Sequence, residues 1–359
     1  MNKVGPVRGS AVLAVLAVVL FSACGRASPV AEVSSRPSNP ASEISPVPSP
    51  NASPTPVDKY PSQLTCRLPV VAQRGGGVER GWIAFPGGQY APDNRAVSNF
   101  SDGTAANYYP TEHMPSYDWG AGVWVPAEQQ YVSPDGSEYV VQIDSRSKLP
   151  TGFYLVDAKT GTKRLIQSVT GPGGGVYWTL LGYHSEGIYL AGLGAAGDAP
   201  TQVPGLWLMN PLTGHVRLID RSHIWDMIGG GSAWAVDAPP NAVGTWTVYR
   251  LDLATAQIKK SYASEQFGGF VAPTPDGDVL VRGGDDGGPE QIFVLTTGGD
   301  VVPLALPSGF SGDYGGHVAN PGVWIALSNG AALYTKANGM QGVVQSPYGL
   351  VLFPVGKCR

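Results

Sequence analysis

Short runs of alternating apolar and polar residues, separated by glycine-rich turns, follow one another from about residue 127 to the C-terminus. Five of these runs share one design, in which an aromatic residue lies among alternating apolar residues and a polar turn leads into a second run. They start at residues 152, 205, 247, 291 and 332 and read GFYLVDAKTGTKRLI, GLWLMNPLTGHVRLI, TVYRLDLATAQIKKS, QIFVLTTGGDVVPLA and ALYTKANGMQGVVQ. Alternation with a period of two is typical of half-buried strands, so each run predicts a β-hairpin.

A second series of turns lies in phase with these hairpins, one turn ahead of each. Its glycines are 44 to 51 residues apart and the hairpin aromatics 41 to 53 residues apart: Gly136, Gly187, Gly231, Gly277 and Gly322; Tyr154, Trp207, Tyr249, Phe293 and Tyr334. Two series with one period predict a four-stranded repeating unit, which is the blade of a β-propeller. A β-sandwich with regularly spaced turns is the alternative, although a sandwich has no reason to repeat an aromatic hairpin at one phase.

Two of the turns carry a recognisable motif. The sequences SPDG, from Ser133, and TPDG, from Thr274, resemble the turn between the first two strands of a blade in the WD40-like, TolB-type propeller repeats. The other three copies depart from this motif, and the resemblance covers most of the chain after Ala127. It implies an all-β propeller and, where use follows fold, a protein partner held at one face of the disc.

Sequence outside the five copies resembles the strands of one more blade. GWIAFPGG, from Gly81, resembles a third strand and NRAVSNF, from Asn94, a fourth, whereas QSPYGLVLFPVG, from Gln345, resembles the turn and second strand of a blade. A ring has to close without an exposed edge, and one solution builds the last blade from both chain ends. We therefore expect a six-bladed β-propeller over residues 63–359, with seven blades as the alternative.

The first residues predict an export signal. A basic start precedes the apolar run from Ala11 to Ala23, which has the length of a signal-peptide core and is too short to span a bilayer unaided. The sequence FSAC at its end resembles the bacterial lipobox, although Phe21 replaces the usual leucine. The resemblance implies that residues 1–23 are removed and that Cys24 is lipidated. An ordinary secretory signal, with the protein released, is the alternative.

Residues 24–62 are rich in proline and serine and contain few aliphatic or aromatic side chains. Such a segment cannot bury enough apolar surface to offset the entropy lost on ordering, so we expect a disordered tether. With polyproline II stretches of about 3.1 Å per residue it would hold a domain up to roughly 100 Å from its anchor. The predicted location is the extracytoplasmic face of a bacterial cell membrane, to which the protein is attached through its lipid.

The two other cysteines lie near the ends of the predicted ring, Cys66 close to its start and Cys358 as the penultimate residue. If both chain ends form one blade, the two thiols meet in it, and an exported protein can keep a disulfide. We expect a Cys66–Cys358 disulfide that closes the ring. Two free thiols are the alternative.

The composition and the motifs indicate few candidate residues for catalysis, metal binding or nucleic-acid binding. The chain has 23 Lys and Arg against 27 Asp and Glu, with no basic stripe for nucleic acid. No GxSxG, HExxH or CxxC motif occurs, and we assign no catalytic residue, metal ligand or cofactor. The five histidines are scattered, but three lie near the starts of different blades, where inner strands would bring them toward the central channel: His184, His223 and His317.

The candidate recognition segment is the longest interruption of the repeat, Ser101 to Trp124. Loops on a rigid scaffold commonly carry binding function, and aromatic side chains stack on sugars or anchor protein partners. The candidate binding residues are Tyr108, Tyr109, His113, Tyr117, Asp118 and Trp119. The alternative is that the segment folds over one end of the channel and its rings fill space.

These observations predict a membrane-anchored, extracytoplasmic propeller that acts as a non-catalytic scaffold for a protein partner or a glycan. The competing hypothesis is a glycan-active hydrolase or lyase with its site at the channel mouth. Carboxylate, histidine and arginine side chains converging at one mouth would favour the enzyme, and their absence would favour binding.

Overall fold

The structure, a computed structural model, describes residues 55–56, 64–74, 77–97, 114–143, 152–168, 176–196, 199–237, 245–265, 267–283, 291–310, 315–319, 322–346 and 350–359. The chain divides into two compact units, Met1–Val47 and Pro48–Arg359, and every described residue belongs to the second. The predicted signal peptide, Cys24 and most of the predicted tether lie outside the described residues. Among the described residues, no helix is long and apolar enough to cross a membrane.

Six antiparallel sheets form the blades of a ring, so the predicted six-bladed β-propeller is confirmed. Blades one to four follow one another along the chain, and the strands of each blade are ordered from the channel outward.

Blade one contains β7 (Glu138–Ile143), β8 (Gly152–Asp157) and β9 (Lys163–Gln167). Blade two contains β10 (Val176–His184), β11 (Gly187–Ala196), β12 (Ala199–Met209) and β13 (Val216–Asp220). Blade three contains β14 (Trp225–Gly229), β15 (Ser232–Asp237), β16 (Trp246–Asp252) and β17 (Gln257–Ser264). Blade four contains β18 (Phe267–Pro273), β19 (Val279–Gly283), β20 (Gln291–Leu295) and β21 (Val301–Leu304).

The last two blades use the chain ends. Blade five contains β22 (Gly316–Ala319), β23 (Gly322–Leu327), β24 (Gly330–Thr335) and β25 (Gly339–Gln345), and the short β1 (Thr55–Pro56) adds a fifth strand along the outer edge of β25. The closing blade places β26 (Leu350–Pro354) innermost, followed by β2 (Arg67–Arg74), β3 (Gly77–Ala84) and β4 (Gln89–Pro92). Both chain ends therefore share one sheet, as the closure argument predicts.

All five repeated hairpins form the two outer strands of a blade, and GWIAFPGG supplies the third strand of the closing blade. These are the third and fourth strands in every blade when the irregular segment at the inner position of blade one is counted as its first. Two assignments in the closing blade were wrong. The fourth strand is β4, and the described part of NRAVSNF, residues 94–97, contributes an isolated bridge between Val97 and Trp124 instead of a strand. The C-terminal segment forms the first strand of the blade and not the second, because β2 already occupies the second position.

Apolar side chains between neighbouring blades form the core. Leu190 and Trp207 of blade two pack against Phe153 of blade one, and similar clusters join each later pair of blades up to the closing blade. Each blade thus covers the apolar face of the next, which is why a single blade would not be stable alone.

The joint between the closing blade and blade one is built differently. A hairpin of β5 (Ser116–Asp118) and β6 (Val123–Val125) packs against Val71 and Trp82 of the closing blade, and its Val125 also packs against blade one. A 3-10 helix, Gln129–Tyr131, and an isolated bridge from Val132 to Tyr139 then take the place of the inner strand of blade one. The described part of the interruption of the repeat, residues 114–124, therefore lies in the joint between the closing blade and blade one.

Candidate functional site: the central channel

Two adjoining cavities, of about 480 and 290 Å³, lie along the channel of the ring. The larger is walled by the 3-10 helix and by β10, β14 and β18, and the smaller by β18, β22 and β26. Four residues belong to both walls: Gln129, Gln130, Val271 and Gly316. Innermost segments of all six blades therefore line one continuous channel, and the volume of the larger cavity is in the range of small-molecule sites.

The wall of the larger cavity is mainly neutral. Its hydrogen-bonding side chains are Gln129, Gln130, Ser133, Tyr183, His184 and Ser185. Asp226 and Lys357 are the two residues of the described wall that carry a full charge at pH 7. Leu181, Met227, Ile228 and Val271 supply an apolar surface between them. Such a wall suits a ligand that forms many neutral hydrogen bonds and carries little charge.

Burial controls the protonation of two wall residues. It lowers the pKa of His184, with a smaller opposing effect from Glu186, so the imidazole is neutral at pH 7 and offers one donor and one acceptor. Burial also raises the pKa of Tyr183 to about 12, so its hydroxyl stays protonated. Gly182 makes room for the imidazole, because a Cβ there would lie 3.0 Å from His184 Nε2.

The predicted histidines behave differently from one another. His184 lines the channel, but His223 stacks on Tyr249 at 4.0 Å and its Nδ1 lies 3.3 Å from Asp237 Oδ2, outside the described channel walls. His317 belongs to β22, and its side chain lies outside the described residues. Among the described residues, no group of three or more His, Cys, Asp or Glu is placed to hold a metal ion.

The candidate binding residues fall into two groups. Tyr108, Tyr109 and His113 lie outside the described residues. The other three belong to the β5–β6 hairpin: the Tyr117 ring is 5% exposed against Trp82, the Asp118 carboxylate accepts bonds from two backbone N–H groups of its own turn, and Trp119 Nε1 donates to the Lys357 carbonyl over 2.7 Å. In this structure those three side chains brace the hairpin and the C-terminal segment beside the channel.

Sequence reasoning missed the residue that organises this joint, Asp93. Its carboxylate, 8% exposed, accepts bonds from Trp82 Nε1 (2.9 Å), Trp124 Nε1 (2.8 Å) and Arg95 Nη2 (2.6 Å). The Arg95 guanidinium also lies over the rings of Trp82 and Tyr117, at 5.7 and 5.3 Å from their centroids. No local motif marks Asp93, because its indole partners belong to separate strands.

The predicted disulfide between Cys66 and Cys358 is confirmed, with Cα atoms 5.4 Å apart. Beside it, the backbones of Arg67 and Arg359 exchange two hydrogen bonds, of 2.7 and 3.2 Å. Cys358 is 7% exposed and packs in the cluster between the closing blade and blade five. The covalent link therefore joins the two chain ends at the point where the ring closes.

Comparisons with known proteins address the fold. No family model and no curated protein matches the chain. Among solved structures, TolB from Acinetobacter baumannii is 13% identical over 80% of this chain and 65% of its own, with a TM-score of 0.41. An oligogalacturonate lyase in complex with manganese is 11% identical over 79% of this chain and 75% of its own, with a TM-score of 0.44. Pyrococcus horikoshii acylaminoacyl peptidase is 11% identical over 79% of this chain and 47% of its own, with a TM-score of 0.42. The chain thus spans less than two thirds of TolB and of the peptidase, and at such identities the similarity concerns the fold alone.

Proposed function

We propose that this protein is a lipid-anchored propeller on the outer face of a bacterial cell membrane, and that it binds an extended protein segment in its channel without catalysis. The observation that supports this most is the larger cavity, whose wall combines neutral hydrogen-bonding side chains with apolar ones. Backbone amides of an extended segment are neutral donors and acceptors, which Gln129, Gln130, Tyr183 and His184 match. A glycan, which presents neutral hydroxyls, is the second occupant that this wall fits.

The carboxylates of the wall favour binding over glycoside hydrolysis. Glycosidases mostly require two carboxylates that flank the bond to be cleaved. Asp226 is the one carboxylate in the described wall of the larger cavity, and Glu128 belongs to the smaller one. The competing hydrolase or lyase hypothesis would therefore require Asp226 and Glu128 to act together from the two cavities of the channel, or Asp226 to act with His184.

The start of the described domain is compatible with a tether. Thr55 pairs with Gln345 and Pro56 with Val344, on the outer edge of blade five. This edge is remote from the channel walls, which use inner strands. The first described residues therefore lie away from the channel walls.

Replacing Cys24 by serine should abolish incorporation of fatty acid into the protein, because the thiol is the proposed attachment atom. Growth with an alkyne-bearing fatty acid, followed by coupling to a fluorophore, measures this directly. Ser22→Ala is the matched control, since it changes the same motif but keeps the thiol, and it should label like the wild type. Equal labelling of the Cys24→Ser protein would contradict the anchor.

Photoreactive amino acids at Gln130 and Ser185, both on the channel wall, should crosslink to a partner in living cells, whereas one at the exposed hairpin residue Thr213 should not. Mass spectrometry of the adducts distinguishes a peptide from a carbohydrate. Equal crosslinking at all three positions, or none at the channel positions, would overturn channel binding. Polysaccharide cleavage by the wild type that His184→Gln abolishes would instead support the enzyme.

A further inference from the structure

The outer strands of blades one, two and three carry a basic residue at the same structural position. In each of these blades the pairing of the third and fourth strands has a register shift just before an aromatic residue: Tyr154 lies opposite Leu165, Trp207 opposite Leu218 and Tyr249 opposite Lys260. One place closer to the hairpin turn, the outer strands carry Arg164, Arg217 and Lys259. We call these three residues the basic arc.

The surroundings of the basic arc strengthen its charge. All three side chains are exposed, and Lys163 and Lys260 lie next to them on the same strands. The three strands together carry five Lys or Arg against one acidic residue, Asp220. That carboxylate is engaged by Ser222 and by Trp225 Nε1, the latter at 2.9 Å. A positive arc therefore exists on a protein whose formal net charge is −4.

The other half of the rim lacks these charges. In blade five the register shift precedes Ala332, and the equivalent position on the outer strand is Gln341. In blade four and the closing blade we count from the aromatic residues Phe293 and Trp82, and the equivalent positions are Val302 and Tyr90. The strands that carry them, β25, β21 and β4, contain no Lys, Arg, Asp or Glu. The outer strands thus divide into a basic half of the rim, β9, β13 and β17, and an uncharged half, β21, β25 and β4. The turns beside the basic half also carry Asp157 and Asp252, and on the uncharged half the short β1 pairs with β25 at Val344 and Gln345.

Protection of sheet edges explains only part of this pattern. Lysine and proline on outer strands discourage edge-to-edge aggregation, and β21 and β4 each contain a proline. Edge protection does not require the charged residues of different blades to have the same sign or to lie at the same position of the strand pairing. Three adjacent edges here share both, and each also exposes an aliphatic side chain, of Leu165 (46%), Leu218 (38%) or Ile258 (36%).

We propose that the basic arc is a track for a flexible polyanion, a polymer with carboxylates or phosphates along its length, which follows the rim across blades one to three. A convex rim touches a planar membrane at one blade, whereas a flexible chain can reach successive blades. Arg164 of blade one reaches the turn between the two outer strands of blade two. Its guanidinium donates hydrogen bonds there to the Pro211 carbonyl over 3.1 Å and to the Leu212 carbonyl over 3.4 Å, so the track is continuous between these two blades.

The chain's own N-terminal segment does not have the charge to occupy this track. Residues 25–62 contain three basic residues and three acidic ones: Arg26, Arg36 and Lys59; Glu32, Glu43 and Asp58. A neutral segment gains nothing from a positive arc. The proposed track is also separate from the channel, so it does not depend on the channel binding proposed above.

The test compares two double variants of the full-length protein that change the net charge equally. Arg217→Gln with Lys259→Gln removes two charges from the arc, and Val302→Glu with Gln341→Glu adds two negative charges at equivalent positions on the uncharged half. Arg164 is left intact because of its contacts with blade two. Binding of fluorescent polyphosphate and of polyglutamate is measured by anisotropy at several salt concentrations, with thermal unfolding as the check on folding.

The arc variant should bind both polymers about tenfold more weakly than the wild type at low salt. Its slope of log affinity against log salt should fall by about 1.4, since each lost contact with a flexible polyanion contributes about 0.7. The control variant should bind within about twofold of the wild type. If the arc variant binds only one of the two polymers more weakly, the ligand is a polymer with that anionic group, phosphate or carboxylate, and the track is supported for that group.

Four results would overturn the proposal. Absence of binding by the wild type at low salt would remove the ligand. If both variants bind the polymers equally more weakly than the wild type, the effect comes from the net charge of the protein and not from the basic arc. Arc-dependent binding to anionic phospholipid vesicles without binding to either polymer would assign the arc to a membrane surface, and increased self-association of the arc variant with unchanged polymer affinity would assign it to edge protection.

Discussion

Replacing Cys66 and Cys358 together by serine is expected to lower the free energy of unfolding by about 5 kcal/mol. The disulfide joins residues 292 positions apart, so in the chain-entropy model it removes a large loop-closure entropy from the unfolded state. The Cα separation of 5.4 Å lies within the normal range for disulfides.

The weakest joint of the ring should also open first in this variant. The closing blade is held by the ladder between β26 and β2, five residue pairs from Val70–Pro354 to Arg74–Leu350. Hydrogen exchange should therefore accelerate in β26 and β2 before it accelerates in blades two to four. Those blades are continuous in sequence and do not depend on pairing between the chain ends.

Urea unfolding followed by tryptophan fluorescence measures the effect. The wild type with reducing agent should match the double serine variant, whereas reducing agent should leave that variant unchanged. Cys24→Ser is the control for removing a thiol outside the ring. If oxidised and reduced wild type unfold at the same urea concentration, the disulfide does not stabilise the ring.

Replacing Asp93 by alanine is expected to lower the free energy of unfolding by about 3 kcal/mol, the second largest effect. The change leaves two indole N–H groups without their acceptor, those of Trp82 (4% exposed) and Trp124 (0% exposed). An unsatisfied buried donor costs about 1 to 3 kcal/mol. Asp157→Ala, which removes a partly exposed carboxylate from a hairpin turn, should cost less.

A double-mutant cycle separates the bond from the general loss of packing. Trp124→Phe removes one donor, so in that background Asp93→Ala should cost less than in the wild type. Denaturant unfolding of the four proteins gives the coupling energy. A coupling energy near zero would mean that the Asp93–Trp124 bond is not what stabilises the joint.

The same carboxylate makes this contribution depend on pH. Hydrogen bonds from Arg95, and then those from the two indoles, hold the pKa of Asp93 well below its usual range. The unfolded state therefore binds the proton more readily, so the stabilisation is complete above about pH 5 and is lost progressively as the pH falls below that value. The difference in stability between wild type and Asp93→Asn should accordingly shrink between about pH 5 and about pH 2. A constant difference would contradict the charge as its source.

The sequence predicted the blades because their information is local. The aromatic hairpin beginning at Gly205 specifies two neighbouring strands and their turn within about fifteen residues, and alternation determines which side chains are buried. The same reasoning failed for NRAVSNF. There, indoles from β3 and β6 bind Asp93 and direct the chain toward the β5–β6 hairpin, where Val97 bridges to Trp124.

The candidate site was less predictable for a related reason. His184 was placed near the channel from its position at the start of a blade, which the structure bears out. Gln129 and Gln130 gave no signal, because the segment that carries them replaces a regular inner strand. Tyr117 and Trp119 were visible as an aromatic cluster, but their burial against Trp82 depends on how the closing blade packs.

By itself, then, the sequence determined the repeating strands, the number of blades and the pairing of Cys66 with Cys358, since these follow from patterns within one blade and from the need to close a ring. Only the tertiary structure decided which strand of the closing blade lies innermost and which side chains face the channel. Each of these depends on contacts between residues far apart in the chain, and local alternation carries no information about such contacts.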